Sequence, residues 1–413
     1  MMQSRVKTVR DIDVAHKRVL MRVDFNVPLD AQQQITDDTR IQAAIPTIRY
    51  LLDRKAAVIL MSHLGRPKGK VVETLRLAPV AYRLSHLLGQ PIQVSADCVG
   101  PDVEDMAQAL HPGQVLLLEN LRFHPEEEQN DQHFSSQLAS LGEIYVNDAF
   151  GTAHRAHAST EGVTHYLPAV AGLLMERELA FLGSALDKPE RPFAAIVGGA
   201  KVSDKMALLE RLIEQVDLLL VGGGMANTFL KAEGYEVGDS LVEDAQLHAA
   251  SAALMKARQR ELKLLLPIDV VIAEHITAEA SVKIVPVDQV PQGWRILDIG
   301  PRTIAAFRQA LADARTIFWN GTLGMAEIPP FATGTQALIE TLVACTQRGT
   351  KTIIGGGDST AAVAHAGAVE KMTHVSTGGG ASLEFLEGRL LPGVAALQEK
   401  QVGVSLTHGV AHL

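Results

Sequence analysis

Short, unbroken apolar runs of strand length recur along the chain, separated by segments with helical spacing. In the first part they are RVLMRVDF (18–25), AAVILMSH (56–63), GQVLLLEN (113–120) and EIYVNDAF (143–150). In the second they are FAAIVGG (193–199), DLLLVGGG (217–224), LKLLLP (262–267), RTIFWNG (315–321), KTIIGGG (351–357) and HVSTGGG (374–380). Strands alternating with helical segments predict an α/β fold built on parallel sheets. Between the two parts lies LPAVAGLLMERELAFLGSAL, residues 167–186, with Leu174, Leu179, Phe181 and Leu182 at helical spacing among charges. This stretch is expected to be a helix that joins two domains and to bend near Gly172 and Gly183; an ordinary surface helix is the alternative.

The length, 413 residues, also favours two domains over one core. A formal net charge of −9 argues against nucleic acid or a membrane surface as partner, so any anion site must be a local basic cluster. Two distant cysteines, Cys98 and Cys345, exclude a disulfide framework and fit a reducing compartment. The first twenty residues hold no apolar signal core, and no run is long enough to span a membrane, so the expected location is cytoplasmic.

In an open α/β sheet, ligands bind beyond the carboxyl ends of the strands. In the second part those positions are glycines: Gly198-Gly199, Gly222-Gly223-Gly224, Gly321 with Gly324, Gly355-Gly356-Gly357 and Gly378-Gly379-Gly380. Glycine lets backbone amides approach a ligand, and the helix start behind it favours an anion. Tight turns alone would explain one such loop less strainedly than five. In the first part the same positions are basic. SHLGRP carries His63 and Arg66, ENLRFH carries Arg122 and His124, and NDAFGTAHRAH carries His154, Arg155 and His157. Arg40 follows a polar loop and opens a helical stretch. Guanidinium forks suit a small polyanion.

In GGAKVSDKM (198–206), Lys201 and Lys205 stand four apart at what reads as the start of an amphipathic helix, beside the glycine amides. Two cations there oppose the helix dipole unless an anion compensates, and a polyphosphate would. A nucleotide's phosphates in one half and a small polyanion in the other point to phosphoryl transfer, which needs positioning and charge neutralisation. Asp358, behind the glycines at 355–357, is a candidate magnesium ligand; the alternative is a helix cap, a role open to Ser359 also.

RVDFNVP, SHLGRP, LENLRFH, VNDAFGTAHRAHAS, GGAKVSDK, GGGMANTF, IGGGDS and STGGGASLE occur in one order between about residue 5 and residue 399. With them the sequence resembles the phosphoglycerate kinase family. The resemblance implies two Rossmann-like domains, each a parallel sheet flanked by helices, joined by a hinge helix. A glycerate-binding domain would span 1–170, a nucleotide-binding domain 171–389, and a tail from about 390 to 413 would return to the first domain. It implies reversible transfer of a phosphoryl group between 1,3-bisphosphoglycerate and magnesium-ADP, giving 3-phosphoglycerate and ATP, by a monomer that closes on its ligands.

By the same resemblance Asp24, Asn26, Arg40, His63, Arg66, Arg122, His154 and Arg155 would hold the glycerate, with Arg40 nearest the migrating group. Gly199, Lys201 and Lys205 would meet nucleotide phosphates, with Lys205 following the transfer. Gly356, Gly357, Gly379 and Gly380 would give amides to it, Gly357 and Gly380 as catalytic donors. Gly222, Gly223 and Leu297 would border adenine, and Asn320 and Glu327 would contact the nucleotide. Asp358 would bind Mg²⁺ and Ser359 a phosphate. The family's W-N-G-P-x-G-x-F-E reads WNGTLGMAE here, with Thr322 for proline and Ala326 for phenylalanine. A less rigid loop is the expected consequence. The extension QVGVSLTHGVAHL (401–413) runs past where such chains usually stop.

A nicotinamide-dependent dehydrogenase would want G-x-G-x-x-G, which is absent from the sequence. A non-catalytic anion-binding clamshell would explain the arginines but not the glycine turns, the lysines and Asp358.

Overall fold

All ten apolar runs form strands in the computed structural model, which describes residues 6–399. The extension 401–413 lies outside the described residues. One compact unit holds residues 6–179 and 391–399, the other residues 180–390.

The first unit contains β1 (Arg18–Arg22), β2 (Ala57–Met61), β3 (Gln93–Val94), β4 (Val115–Leu117), β5 (Ile144–Asn147) and β6 (Ala169–Ala171). They form one parallel sheet in the order β3-β4-β2-β1-β5-β6. Strand β2, AVILM, is buried at every position, as a parallel strand covered on both faces must be. Helix Thr39–Asp53 lays Ile41, Ala44, Ile48 and Leu51 against Val19, Met21, Val58 and Leu60 of the sheet. Residues 391–399 belong to this unit: the Gly393 amide donates to Ala153, the Gln398 amide to Ala169, and Val6 bridges Glu399.

The second unit contains β7 (Phe193–Val197), β8 (Leu218–Val221), β9 (Lys263–Leu265), β10 (Asp269–Ala273), β11 (Lys283–Pro286), β12 (Arg295–Ile299), β13 (Thr316–Asn320), β14 (Lys351–Gly355) and β15 (His374–Val375). Six of them make a parallel sheet in the order β15-β14-β13-β7-β8-β9. Strands β11-β10-β12 form a small antiparallel sheet that the alternation of strand and helix does not predict.

Two local expectations are corrected. The stretch 167–186 is not one helix: Ala169–Ala171 pairs with β5 as β6, and the helix runs Leu173–Asp187. PAVAGLLM (168–175) is apolar without a break, so periodicity cannot separate strand from helix there. Helix Met206–Gln215 begins after Lys205, so Lys201 and Lys205 do not share a helix face. That helix buries Leu208, Leu209, Leu212 and Ile213 on one side.

The boundary between the units falls at Leu179 and Ala180, inside helix Leu173–Asp187. The start of this helix is tied to buried Asp148. Its Oδ1 accepts the backbone amides of Leu174 at 2.9 Å and Met175 at 3.1 Å, and burial pushes its carboxyl up to about 7. A Cβ on Gly172 would lie 2.1 Å from that oxygen, whereas one on Gly183 would meet nothing nearer than Phe385 Cζ at 3.9 Å. Gly172→Ala is therefore expected to destabilise the first unit by about 1–3 kcal/mol. Gly183→Ala is expected to be neutral or stabilising by up to about 1 kcal/mol. Thermal denaturation of both variants checks this, and equal effects would contradict the packing argument.

Candidate functional site

In the first unit, the carboxyl ends of parallel strands bring the basic residues to one edge. Asp24 and Asn26 follow β1, His63 follows β2, Arg122 follows β4, and His154 and Arg155 follow β5. Arg40 sits in the first turn of helix Thr39–Asp53. Its Nη1 donates to Asp24 Oδ2 at 3.1 Å and to the Asn26 carbonyl at 3.1 Å. Asn26 Oδ1 accepts the Gly65 amide at 2.8 Å, and the Gly65 carbonyl accepts Arg122 Nη1 at 2.9 Å. Arg122 is 5% exposed and pairs through Nε with Glu128 at 3.0 Å. Arg155 Nε lies 3.2 Å from His154 Nε2. Arg66 is exposed.

His63 records how tightly the charges converge. It is 3% exposed, and its imidazole is held well below its usual range, first by burial and then by Arg22, Arg122, Arg40 and Arg155. A neutral ring among four guanidinium groups marks positive charge that an anion can neutralise.

Arg22 was not singled out from the sequence. It is 1% exposed, with Nη2 3.1 Å from His63 Nδ1, Nε donating to Ser159 Oγ at 2.8 Å and Nη1 donating to the Val23 carbonyl. Ser159 Oγ in turn donates to the fully buried Glu127 at 2.6 Å. A charged residue inside the otherwise apolar stretch VLMRV (19–23) was the available signal, since buried charges are rare unless paired. His157 is held down to about 4, chiefly by burial and then by Arg22, Arg122, Arg155 and His154.

In the second unit the glycine turns sort into two kinds. Some are glycine because backbones touch. The Gly198 amide donates to Asn320, the Gly199 amide to Thr322 and the Gly223 amide to Leu323, at 2.9, 2.8 and 3.0 Å. A Cβ on Gly321, where φ is +89°, would lie 2.3 Å from both the Gly198 carbonyl oxygen and Lys205 Nζ. Around Gly357 and Gly379 a Cβ would meet nothing within 4 Å, so packing does not require glycine at either, although a φ of +51° favours it at Gly379. Gly357 opens helix Gly357–His365 behind Gly356, and Gly380 opens helix Gly380–Leu386 behind Gly379. Gly222 precedes helix Gly223–Ala232.

Lys205 Nζ turns back into this edge, donating to the Gly198 carbonyl at 2.7 Å and the Asn320 carbonyl at 3.3 Å. Burial lowers its amine to about 8, against the raising pull of Asp358 and Asp204. Asn320 is 2% exposed and its Nδ2 has no hydrogen-bond partner among the described residues. Leu297, on β12, accepts the Met325 amide and so borders the loop carrying exposed Glu327. Lys201 is exposed and acts electrostatically on Glu243, away from the Lys205 contacts.

Helix Gly357–His365 is capped by Gly356 with no side-chain cap, so neither Asp358 nor Ser359 has the capping role. Asp358 is exposed in the first turn. Ser359 is buried, its hydroxyl donating to the Gly355 carbonyl and accepting the Gly321 amide at 3.2 Å. A cleft of about 590 Å³ lined by Leu254, Leu262, Pro267 and Val287 contains none of the candidate residues.

The family model described as phosphoglycerate kinase matches residues 9–389. Phosphoglycerate kinase of Chloroflexus aggregans is 58% identical over 397 residues, covering 96% of this chain and 99% of that protein. That of Moorella thermoacetica is 59% identical, covering 95% and 99%. The chain belongs to the phosphoglycerate kinase family. The solved phosphoglycerate kinase of Coxiella burnetii superposes with a TM-score of 0.85 at 42% identity, covering 95% of this chain and 98% of that one.

This member of the family lacks the proline expected at Thr322, yet backbone bonds hold the loop. Besides the bonds to Gly199 and Gly223, the Leu323 amide donates to Thr335 Oγ1 at 3.0 Å. Thr322 itself is 8% exposed.

Because the folded value of Lys205 lies below its ordinary 10.5, burying the ammonium costs stability as pH falls from 10.5 through 8, and no further cost accrues below. In ligand-free protein the Lys205 amine is expected to titrate at about 8 by NMR of an isotope-labelled lysine side chain. Titration near 10.5 would contradict its burial at the glycine edge.

Proposed function

We propose that the first unit binds 3-phosphoglycerate or 1,3-bisphosphoglycerate, that the second binds ADP or ATP with Mg²⁺, and that the two units close on these ligands. The chain transfers a phosphoryl group reversibly between 1,3-bisphosphoglycerate and ADP, the glycolytic step that yields 3-phosphoglycerate and ATP. Family membership across nearly the whole chain supports the reaction. The observation that carries the site is the neutral His63 among Arg22, Arg40, Arg122 and Arg155.

Phosphoryl transfer asks the protein mainly to position two anions and to neutralise charge. Asp24 and the Asn26 carbonyl fix Arg40 through Nη1 alone, leaving Nη2 and Nε for the migrating group. Arg66, Arg122, His154 and Arg155 hold the glycerate end, with His63 as a neutral hydrogen-bonding partner. Lys205 would leave the Gly198 and Asn320 carbonyls for the phosphates, and contact with an anion would raise its pKa and keep it charged. The amides of Gly357, Gly379 and Gly380 meet the same group, while Gly222, Gly223, Leu297, Asn320 and Glu327 receive the rest of the nucleotide.

The carboxylate of Asp358 is exposed and makes no hydrogen bond or ion pair among the described residues. A free hard oxygen donor fits Mg²⁺, which takes one or two carboxylates and keeps its waters. Asp358 would hold the ion, and the ion would supply neutralisation of phosphate charge. Among the described residues no helix is long and apolar enough to cross a membrane. A cytoplasmic monomer is the proposed form, and gel filtration with light scattering checks the second part.

A coupled assay with 3-phosphoglycerate and magnesium-ATP tests the activity, and no turnover would sink the reading. In the same assay Lys205→Ala is expected to lower kcat by about 10²–10³, as for a lost electrostatic clamp; a loss of only a few-fold would remove Lys205 from that role. Arg66→Ala and Arg122→Ala are expected to weaken 3-phosphoglycerate binding and leave ADP binding nearly unchanged by calorimetry. Arg66 is the cleaner probe because it is exposed. Equal damage to ADP affinity would overturn the assignment of ligands to units. Reacting atoms must come within about 3–3.5 Å, so small-angle scattering is expected to report a smaller radius with both ligands than with neither. An unchanged radius would contradict closure.

A further inference from the structure

His124 belongs to the same basic segment as Arg122, but it faces away from the guanidinium cluster's chemistry. Its Nε2 lies 2.7 Å from Asp97 Oδ1, and its ring stacks on Phe134. Next to Asp97 is Cys98, fully buried, with its backbone amide donating to the same carboxylate at 2.7 Å. A carboxylate oxygen, a thiol sulfur and an imidazole nitrogen from these three residues all lie within 4.8 Å of one another. Among the described residues no other group of three such ligands is so placed.

We propose that Asp97, Cys98 and His124 form a binding site for one divalent cation of borderline softness, zinc by preference. Bonds of about 2.0–2.3 Å to a tetrahedral ion put donor atoms roughly 3.3–3.8 Å apart. Small rotations of Asp97 and His124, both partly exposed, would bring the three donors to that spacing. A thiol ligand selects against magnesium, which separates this site from Asp358. Three protein ligands leave a fourth position for water. Binding replaces the Cys98 S–H bond by an S–metal bond and sends the proton to solvent. The plain alternative is a buried cysteine beside an Asp–His hydrogen bond, with no affinity for metal.

The test is a cobalt(II) titration of the reduced full chain, followed by absorption. A thiolate-to-cobalt charge-transfer band that saturates at one equivalent, releases protons and is displaced by zinc is the expected result. The sequence holds only two cysteines, so Cys345→Ser serves as the control and keeps the band. Cys98→Ser and His124→Ala each abolish it, with circular dichroism confirming the fold. Should Cys98→Ser fail to fold, the His124→Ala variant and proton release decide alone. Absence of a saturable band in the wild type, a band that survives His124→Ala, or one lost with Cys345→Ser would overturn the site.

Discussion

At the carboxyl edge of the first unit's sheet, one neutral imidazole lies among four guanidinium groups. Like charges this close repel, and the protein restrains them with few countercharges: Glu128 on Arg122, Asp24 on Arg40, and buried Glu127 reached through Ser159. His63 responds by staying uncharged, which spares the cluster a further positive charge. The chain as a whole carries a formal −9, so this edge is a local concentration of the opposite sign. The multiply anionic ligand proposed for this edge would relieve the repulsion.

The phosphate site proposed for the second unit is built largely from backbone. Three parallel strand ends lie so close that Gly198, Gly223 and Gly321 touch neighbouring main chain, and Lys205 is folded against the same carbonyls. Its partly desolvated amine is held by neutral acceptors that a phosphate oxygen can outcompete. Gly357 and Gly379 differ because nothing fills the space a side chain would take. The turns thus combine a structural reason for some glycines with an open face at others.

Much of this was legible in the sequence. Unbroken runs such as AAVILMSH identify doubly covered strands, and their order places basic residues and glycines at the carboxyl edges. Other features were not legible. Ala169–Ala171 merges with the apolar start of the next helix, so no period distinguishes strand from helix. The antiparallel sheet of β10 to β12 depends on pairing between segments that look like any other strand. Arg22 hides in a strand, where its role depends on Ser159, 137 residues away. Spacing also misled once: Lys201 and Lys205 are four apart, but the helix begins after both. The glycine turns likewise could not be divided into packed and open ones without coordinates.

The most direct test of the central claim is the protonation of His63, read from its imidazole nitrogen shifts from about pH 5 to 8, across the usual titration range of histidine. In ligand-free protein the ring is predicted to titrate well below the usual histidine value. Saturating 3-phosphoglycerate is predicted to move its titration upward, because the bound anion offsets the guanidinium charges. A ring that titrates at its usual value, and that does not respond to 3-phosphoglycerate, would contradict the account.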